Sequence, residues 1–265
     1  NHVREESAYR LGRLLHRVGR ADSAVKALEA TIEEGHRSKW RAQAIDLLGD
    51  IQLAEGRYEE AARSYGRNAS ENRGKEDGTA AIYKLARLET VRKDYAAAQK
   101  ALNRILRAGL ASLVYNDALE LSTIVEIGLT EDPAGLDAYA DGLRLEAEEN
   151  WSAAARTVLV AGESTPDGVL TDRLFRRGIE IRMDTADWPE AERSLRQMTG
   201  MDTPLRSWAH FVLGLCLERQ NRVDEAITIY EGLLVEYPQT LEADRARERL
   251  TDLKTASSHR VGEAG

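Results

Sequence analysis

An alanine returns at nearly fixed intervals along this 265-residue chain, and few folds accommodate such a period. Ala24, Ala61, Ala98, Ala154, Ala191 and Ala226 each close a short helix-opening segment, as in Tyr58 to Ala61, Tyr95 to Ala98 and Trp188 to Ala191. The steps between them are 37, 37, 56, 37 and 35 residues, and the long step is 37 plus 19. Twelve residues before most of these alanines stands a small residue, Gly12, Gly49, Ala86, Gly142 or Gly214, with Ile179 the exception. Apolar residues three and four apart, as in Leu11, Leu14, Leu15 and Val18 or in Ile227, Tyr230, Leu233 and Leu234, give the stretches between landmarks one helical face. Each unit therefore predicts a helix, a short turn and a second helix. Gly and Ala lack the bulk that would hold two antiparallel axes apart. The aromatic at 58, 95, 151 or 188 opens the second helix and fills the gap beside that contact. Pro189 sits in a first turn, where its missing N–H costs little, whereas Pro166 and Pro238 stop helices.

These residues resemble the tetratricopeptide repeat. The family's spacing runs through His210-x2-Leu213-Gly214-x2-Leu217 with Ala226-x3-Tyr230 and Pro238. Good copies are Ile45-x2-Leu48-Gly49 with Ala61-x3-Tyr65, and Ala8-x2-Leu11-Gly12-x2-Leu15 with Ala24-x3-Leu28. Weaker copies use Ile82, Leu85, Ala86, Ala98 and Leu102, then Gly142, Leu145, Ala154, Val158 and Pro166. The poorest has Phe175, Gly178 and Ile179 shifted by one, with Ala191, Leu195 and Pro204. The resemblance covers about 34 residues in each of six units. It implies an all-α, right-handed superhelical solenoid of antiparallel helix pairs, with about six repeats, one inserted helix and a C-terminal capping helix. The period of 37 is longer than the family's and implies extended turns between repeats, as at Ser70 to Thr79.

The extra residues, roughly Ala111 to Asp132, read as the inserted helix, carrying Leu113, Leu119, Leu121, Ile124, Val125 and Leu129. A seam is expected at Thr130-Glu131-Asp132-Pro133, dividing an N-terminal half, residues 1–132, from a C-terminal half, residues 133–253. Leu241 to Leu253 is the capping helix, with Ala243, Ala246, Leu250 and Leu253 on its buried stripe. Residues 254–265 lack a period and are expected to be disordered.

Composition narrows the function. The 37 Lys and Arg against 45 Asp and Glu leave a net charge of −8, which argues against a general nucleic-acid or anionic-membrane binder. One cysteine makes neither an internal disulfide nor a cysteine zinc site. No apolar run nears the roughly 20 residues of a membrane span. The chain begins at Asn1 without a signal-like start, so a processed or trimmed piece is expected. The compartment stays open between bacterial periplasm or envelope and cytoplasm. Tyr230 to Pro238, with Ala243 and Arg245 to Leu250, resembles repeats of bacterial envelope-assembly lipoproteins and periplasmic coordinators.

No catalytic, metal or cofactor constellation stands out. The histidines at 2, 16, 36, 210 and 259 are scattered, His210 occupies a packing position, and Cys216 lies in an apolar run. Gly74-Lys75 lacks a phosphate loop's leading Gly, with Ala69 there, and its trailing Ser or Thr, with Glu76 there. Asn68-Ala69-Ser70 and Asn150-Trp151-Ser152 match the glycosylation pattern, the second at a turn whose Trp is expected to pack.

The family resemblance instead implies a concave groove lined by exposed residues of the first helices. Carried over position by position, these are Tyr9, Arg13, His16 and Arg17, then Gln43, Asp46 and Asp50, then Tyr83, Arg87 and Thr90. Tyr139, Leu143 and Glu146 follow, then Arg173, Arg176 and Glu180, and finally Trp208, Phe211, Leu215 and Arg219. Aromatics and Arg suit protein contact. The family's Lys and Asn clamp for a terminal carboxylate is missing, since Tyr9, Arg13 and Asp50 stand in the corresponding places. The reading is a non-catalytic scaffold or adaptor that binds a peptide or protein partner in this groove. Two alternatives stay open: self-assembly into a homo-oligomer, since no capping helix precedes the first repeat, or an interaction domain of a larger enzyme or regulator.

Overall fold

A computed structural model describes residues 2–34, 38–109, 112–165 and 168–263. Among these the chain forms fourteen α-helices and no strand, an all-α helical solenoid in two compact units, Asn1–Asn150 and Trp151–Gly265. The first unit holds α1 (His2–Arg17), α2 (Ala21–Glu34), α3 (Lys39–Ala54), α4 (Tyr58–Glu71), α5 (Glu76–Val91), α6 (Tyr95–Ala108), α7 (Tyr115–Thr130) and α8 (Pro133–Ala147). The second holds α9 (Trp151–Ser164), α10 (Val169–Asp184), α11 (Trp188–Thr199), α12 (Arg206–Arg219), α13 (Val223–Glu236) and α14 (Leu241–Glu263).

The turns explain the period. Two residues before each landmark helix the backbone turns left-handed, at Gly19, Gly56, Lys93, Glu149, Ala186 and Asn221, with φ between 57° and 73°. The next amide then donates back five residues, Arg20 to the Leu15 carbonyl, Arg57 to Gln52, Asp94 to Glu89, Asn150 to Leu145, Asp187 to Arg182 and Arg222 to Leu217, all at 2.8–2.9 Å. This closes the preceding helix and, for the turns that lie within one unit, sends the chain back along it. Within each unit the pairs it joins, such as α1 with α2 and α12 with α13, pack along one another.

Where a pair lies within one unit, its landmark residues sit where the two helices meet. All six alanines are fully buried, at 0% exposure. A Cβ built on Gly12 would lie 2.8 Å from the Leu28 side chain, and one on Gly49 would lie 2.5 Å from the Tyr65 ring. Gly214 meets Tyr230 in the same way. The first helix thus offers a notch, and the second fills it with the side chain sixteen residues on. Gly178 is different: its notch takes Leu159 of the preceding α9, which is the physical reason for the displaced register in that copy.

Polar caps fix several starts. The Ser38 hydroxyl accepts from the Arg41 amide at 3.2 Å, Asp94 from Ala97 at 3.0 Å, and Asp132 from Gly135 at 3.0 Å with Pro133 beside it.

The inserted helix is α7, and two expectations about its surroundings change. The boundary between units falls after Asn150 instead of at Thr130 to Pro133. The reason is packing: Gly128 is in such close contact with Leu136 that an added Cβ would lie 2.5 Å away, and α8 also packs on α3 and α5. The capping helix does not end at Leu253 but runs on to Glu263, with the Lys254 ammonium 2.9 Å from Glu231 and the Thr255 hydroxyl bonded to the Thr251 carbonyl. Trp151, expected to pack, is 42% exposed. Pro166, His36, Ala111 and the last two residues lie outside the described residues.

Gly49→Ala is expected to destabilise the protein by about 1–3 kcal/mol, because a ring must shift to admit the methyl group. Gly66→Ala on α4, where a Cβ meets nothing within 4 Å, is the control. Thermal unfolding of both variants checks this, with a lowered Tm for the first alone.

Candidate functional site

In the first unit, α1, α3 and α5 lie side by side and present one face. At its start Tyr9 tilts against Trp40 with ring centroids 5.6 Å apart, and the Arg13 guanidinium lies 6.0 Å from the Tyr9 ring. Arg17 is exposed one turn further on.

A polar network occupies the middle of the face. The Lys84 ammonium of α5 donates to Asp50 of α3 at 2.8 and 3.0 Å and lies 3.7 Å from Asp46. The Tyr65 hydroxyl, from α4, donates to the same Asp50 at 2.8 Å. Asn68 donates to Asp46 at 2.6 Å and to the Ala42 carbonyl at 3.1 Å, and Asn72 donates to Asn68 at 2.7 Å. Asn68 is 0% exposed, so its glycosylation pattern belongs to a packed residue. Burial pushes the Asp46 carboxyl above its ordinary range, with Lys84 and Asn68 opposing and the Asp50 and Asp77 charges adding to it. Burial, then Asp50, pushes the Tyr65 hydroxyl upward too, so it stays a donor.

The chain covers part of this face itself. Packed on α3 and α5, α8 is pinned along its length. The Tyr95 hydroxyl donates to Asp137 at 2.5 Å, Lys93 lies 3.4 Å from Asp137 and 3.3 Å from Asp141, and Arg87 lies 3.7 Å from Glu146. Leu136, Tyr139, Ala140, Leu143 and Glu146 are buried between these ties.

The second unit has a face of its own on α10 and α12. The Arg176 guanidinium lies 5.4 Å from the Trp208 ring centroid while its Nε donates to Glu180 at 2.8 Å. Arg173 is one turn earlier on α10 and partly exposed. At the other end of α12, exposed Arg219 lies 6.0 Å from the Trp188 ring, whose carbonyl accepts from the buried Cys216 thiol. Burial raises that thiol's pKa, so it is no ready nucleophile. A joint like that at Asp50 recurs here. Glu218 of α12 accepts from the Tyr230 hydroxyl of α13 at 2.6 Å and from Arg249 of α14.

The residues named from the repeat pattern therefore divide. Asp46 and Asp50 share a network with one another; Tyr9 and Arg13 form a second group, Arg176 and Trp208 a third. Tyr83 is partly buried on α5 near Arg87. Thr90, Tyr139, Leu143, Glu146 and Phe211 are buried, where the pattern implied exposure. Phe211 packs on Tyr230 at 5.9 Å, and the Thr90 hydroxyl donates to the Ala86 carbonyl. Sequence reasoning missed Lys84, Trp40, Lys93, Tyr95, Asp137 and Asp141. The acidic i, i+4 spacing of Asp137 and Asp141 was the available signal. Among the described residues no helix is long and apolar enough to cross a membrane, and no three His, Cys, Asp or Glu side chains gather as metal ligands.

A carboxyl whose folded pKa is raised favours folding when protonated, and that contribution is lost as pH rises through the folded pKa. Asp46→Asn keeps an acceptor for Asn68 and removes the buried charge. It is expected to raise Tm at pH 7, with the gap to wild type closing as pH falls through the raised folded pKa toward 3.8; Tm measured against pH reads this directly.

A tetratricopeptide repeat family model matches residues 9–76, 47–112 and 180–239. No curated protein matches the sequence. Among solved structures the chain is similar to the P58(IPK) TPR domain, with 16% identity over 96% of this chain and 66% of that one, at a TM-score of 0.38. It is similar to a tetratricopeptide repeat protein from Parabacteroides merdae ATCC 43184, with 14% identity over 94% and 98% of the two chains and a TM-score of 0.41. Yeast Tom70 matches at 12% identity over 94% of this chain and 72% of that one, with a TM-score of 0.37. Repeats of this kind are generally non-catalytic and support protein–protein interaction. The matched segments take in more than half of the residues, and the chain belongs to the tetratricopeptide repeat family.

Proposed function

We propose that this protein is a non-catalytic scaffold or adaptor that holds a peptide or protein segment on its first-helix faces. The observation that carries the reading is the seating of α8. A helix of the chain's own lies on α3 and α5, tied by Tyr95, Lys93 and Arg87 to Asp137, Asp141 and Glu146. A face with that shape and that polar rim suits a helical segment. In the first unit α8 takes up part of it, so the face on α10 and α12 is the better candidate for a partner from outside.

That second face supplies the groups that dominate protein recognition. Arg176 and Trp208 form a cation–π pair with Arg173 and Arg219 to either side, and the Arg176 side chain is 33% exposed. Arg and Trp are enriched among residues whose truncation weakens an interface most. The net charge of −8 favours a protein partner over nucleic acid.

Affinity capture by the purified full chain from its source lysate tests the reading. Arg176→Glu with Trp208→Ala is expected to lose the captured partner by tenfold or more. Arg104→Glu with Arg107→Glu, on exposed positions of α6, is expected to retain it. Equal retention by wild type and both variants would move the site off the α10 and α12 face.

A further inference from the structure

Every helix among the described residues carries at least one Asp or Glu except α6. That helix holds Lys100, Arg104 and Arg107 and no acid, in a chain whose net charge is −8. Aligned on the buried alanine of each repeat, other second helices carry acids where α6 has none. Asp22, Glu59 and Asp224 stand in the place of Ala96, and Glu33 and Glu163 in the place of Arg107. The packing of the repeat therefore does not call for this run of cations. A basic residue in the last turn answers the helix dipole, which accounts for Arg107 and leaves Lys100 and Arg104 without a structural task.

All three cations are exposed, and among the described residues none of them lies in an ion pair. Arg67, in the place of Arg104 on α4, is by contrast held by Glu71 at 2.8 Å. The buried stripe of α6, Ala98, Ala101, Leu102 and Ile105, faces the other way. Together with Ala96, Gln99 and Asn103 the cations line one open trough of about 480 Å³ along the outer face. Along the axis Arg104 and Arg107 stand about 6 and about 10 Å beyond Lys100, the spacing of side chains at i, i+4 and i+7 on a facing helix. Ala96 leaves the near end of the trough without bulk. Between the cations the Gln99 and Asn103 amides offer acceptors as well as donors. A row of phosphates only accepts, so it would set oxygen against oxygen there, and the net charge of the chain repels a long polyanion. A helix with carboxylates at that spacing meets each cation and leaves the amides to its uncharged side chains. We infer that the outer face of α6 is a docking site for an acidic helical segment of another protein.

A labelled alanine-based helical peptide with Glu at positions i, i+4 and i+7, titrated with the full chain at low ionic strength, tests this. The expected result is saturable binding that disappears when Gln replaces Glu in the peptide and weakens as salt is added. Arg104→Glu with Arg107→Glu is expected to weaken it about tenfold, with unchanged helical circular dichroism since both side chains already meet solvent. Lys26→Glu with Arg63→Glu makes the same change in net charge at exposed positions of α2 and α4 that correspond to Lys100, and is expected to leave binding unchanged. Absence of saturable binding overturns the inference. So does an equal loss in both double variants, which marks an effect of net charge alone, or tighter binding of a single-stranded oligodeoxythymidylate or of phosphatidylserine vesicles than of the peptide. Arg176→Glu with Trp208→Ala is expected to bind the peptide as wild type does; loss there would place the peptide on the face of α10 and α12 and overturn the assignment to α6. The capture experiment for that face reads separately.

Discussion

The structure depends on the close approach of two helices at a residue without bulk. Gly12, Gly49 and Gly214 each receive the side chain sixteen positions on, and the two large partners, Tyr65 and Tyr230, are almost wholly enclosed. A notch of this kind sets the distance and the register of a helix pair, because a shift along either axis would drive the ring into backbone. The left-handed residue in the following turn makes the approach reachable within three residues. At Lys93, Glu149, Ala186 and Asn221 that conformation is held by non-glycine residues, which tolerate it less readily than Gly19 and Gly56. The five-residue back-bonds of the turns hold it in place.

The tyrosines that fill two of these notches also connect each pair to the next. The Tyr65 hydroxyl donates to Asp50, which also accepts from Lys84 of the next first helix; Tyr230, Glu218 and Arg249 repeat the arrangement. Three helices meet at each joint, one supplying the hydroxyl, one the carboxylate and one the cation. In the first unit, the cation and its neighbours lie on the face over which α8 returns. The packing of α8 therefore draws on residues of that face. The Trp208 and Arg176 pair in the second unit lies further from its own joint at Glu218 and is accessible from solvent.

What the sequence made legible follows from which contacts are local. Alanine and glycine at fixed spacing report helix pairs, because removal of bulk is a property of one residue and its near neighbours. All six alanines are buried as that logic requires. The path of α8 was not legible, since its ties to Lys93, Tyr95 and Arg87 span more than forty residues and follow no repeat position. For the same reason Tyr139, Leu143 and Glu146 read as exposed groove residues while they are buried on α8. The shifted copy at Gly178 was visible as an irregularity, but its cause, a notch turned toward Leu159, needed the packing itself. The left-handed turns left almost no trace in residue type, because four of the six positions carry side chains.

Hydrogen–deuterium exchange on the intact chain tests most directly the claim that α8 is seated on the first-helix face of α3 and α5. The account predicts that amides from Leu136 to Glu146 exchange as slowly as those from Ala81 to Val91 in α5, because both helices open only when that packing is lost. Fast exchange across α8 beside a protected α5 would contradict it.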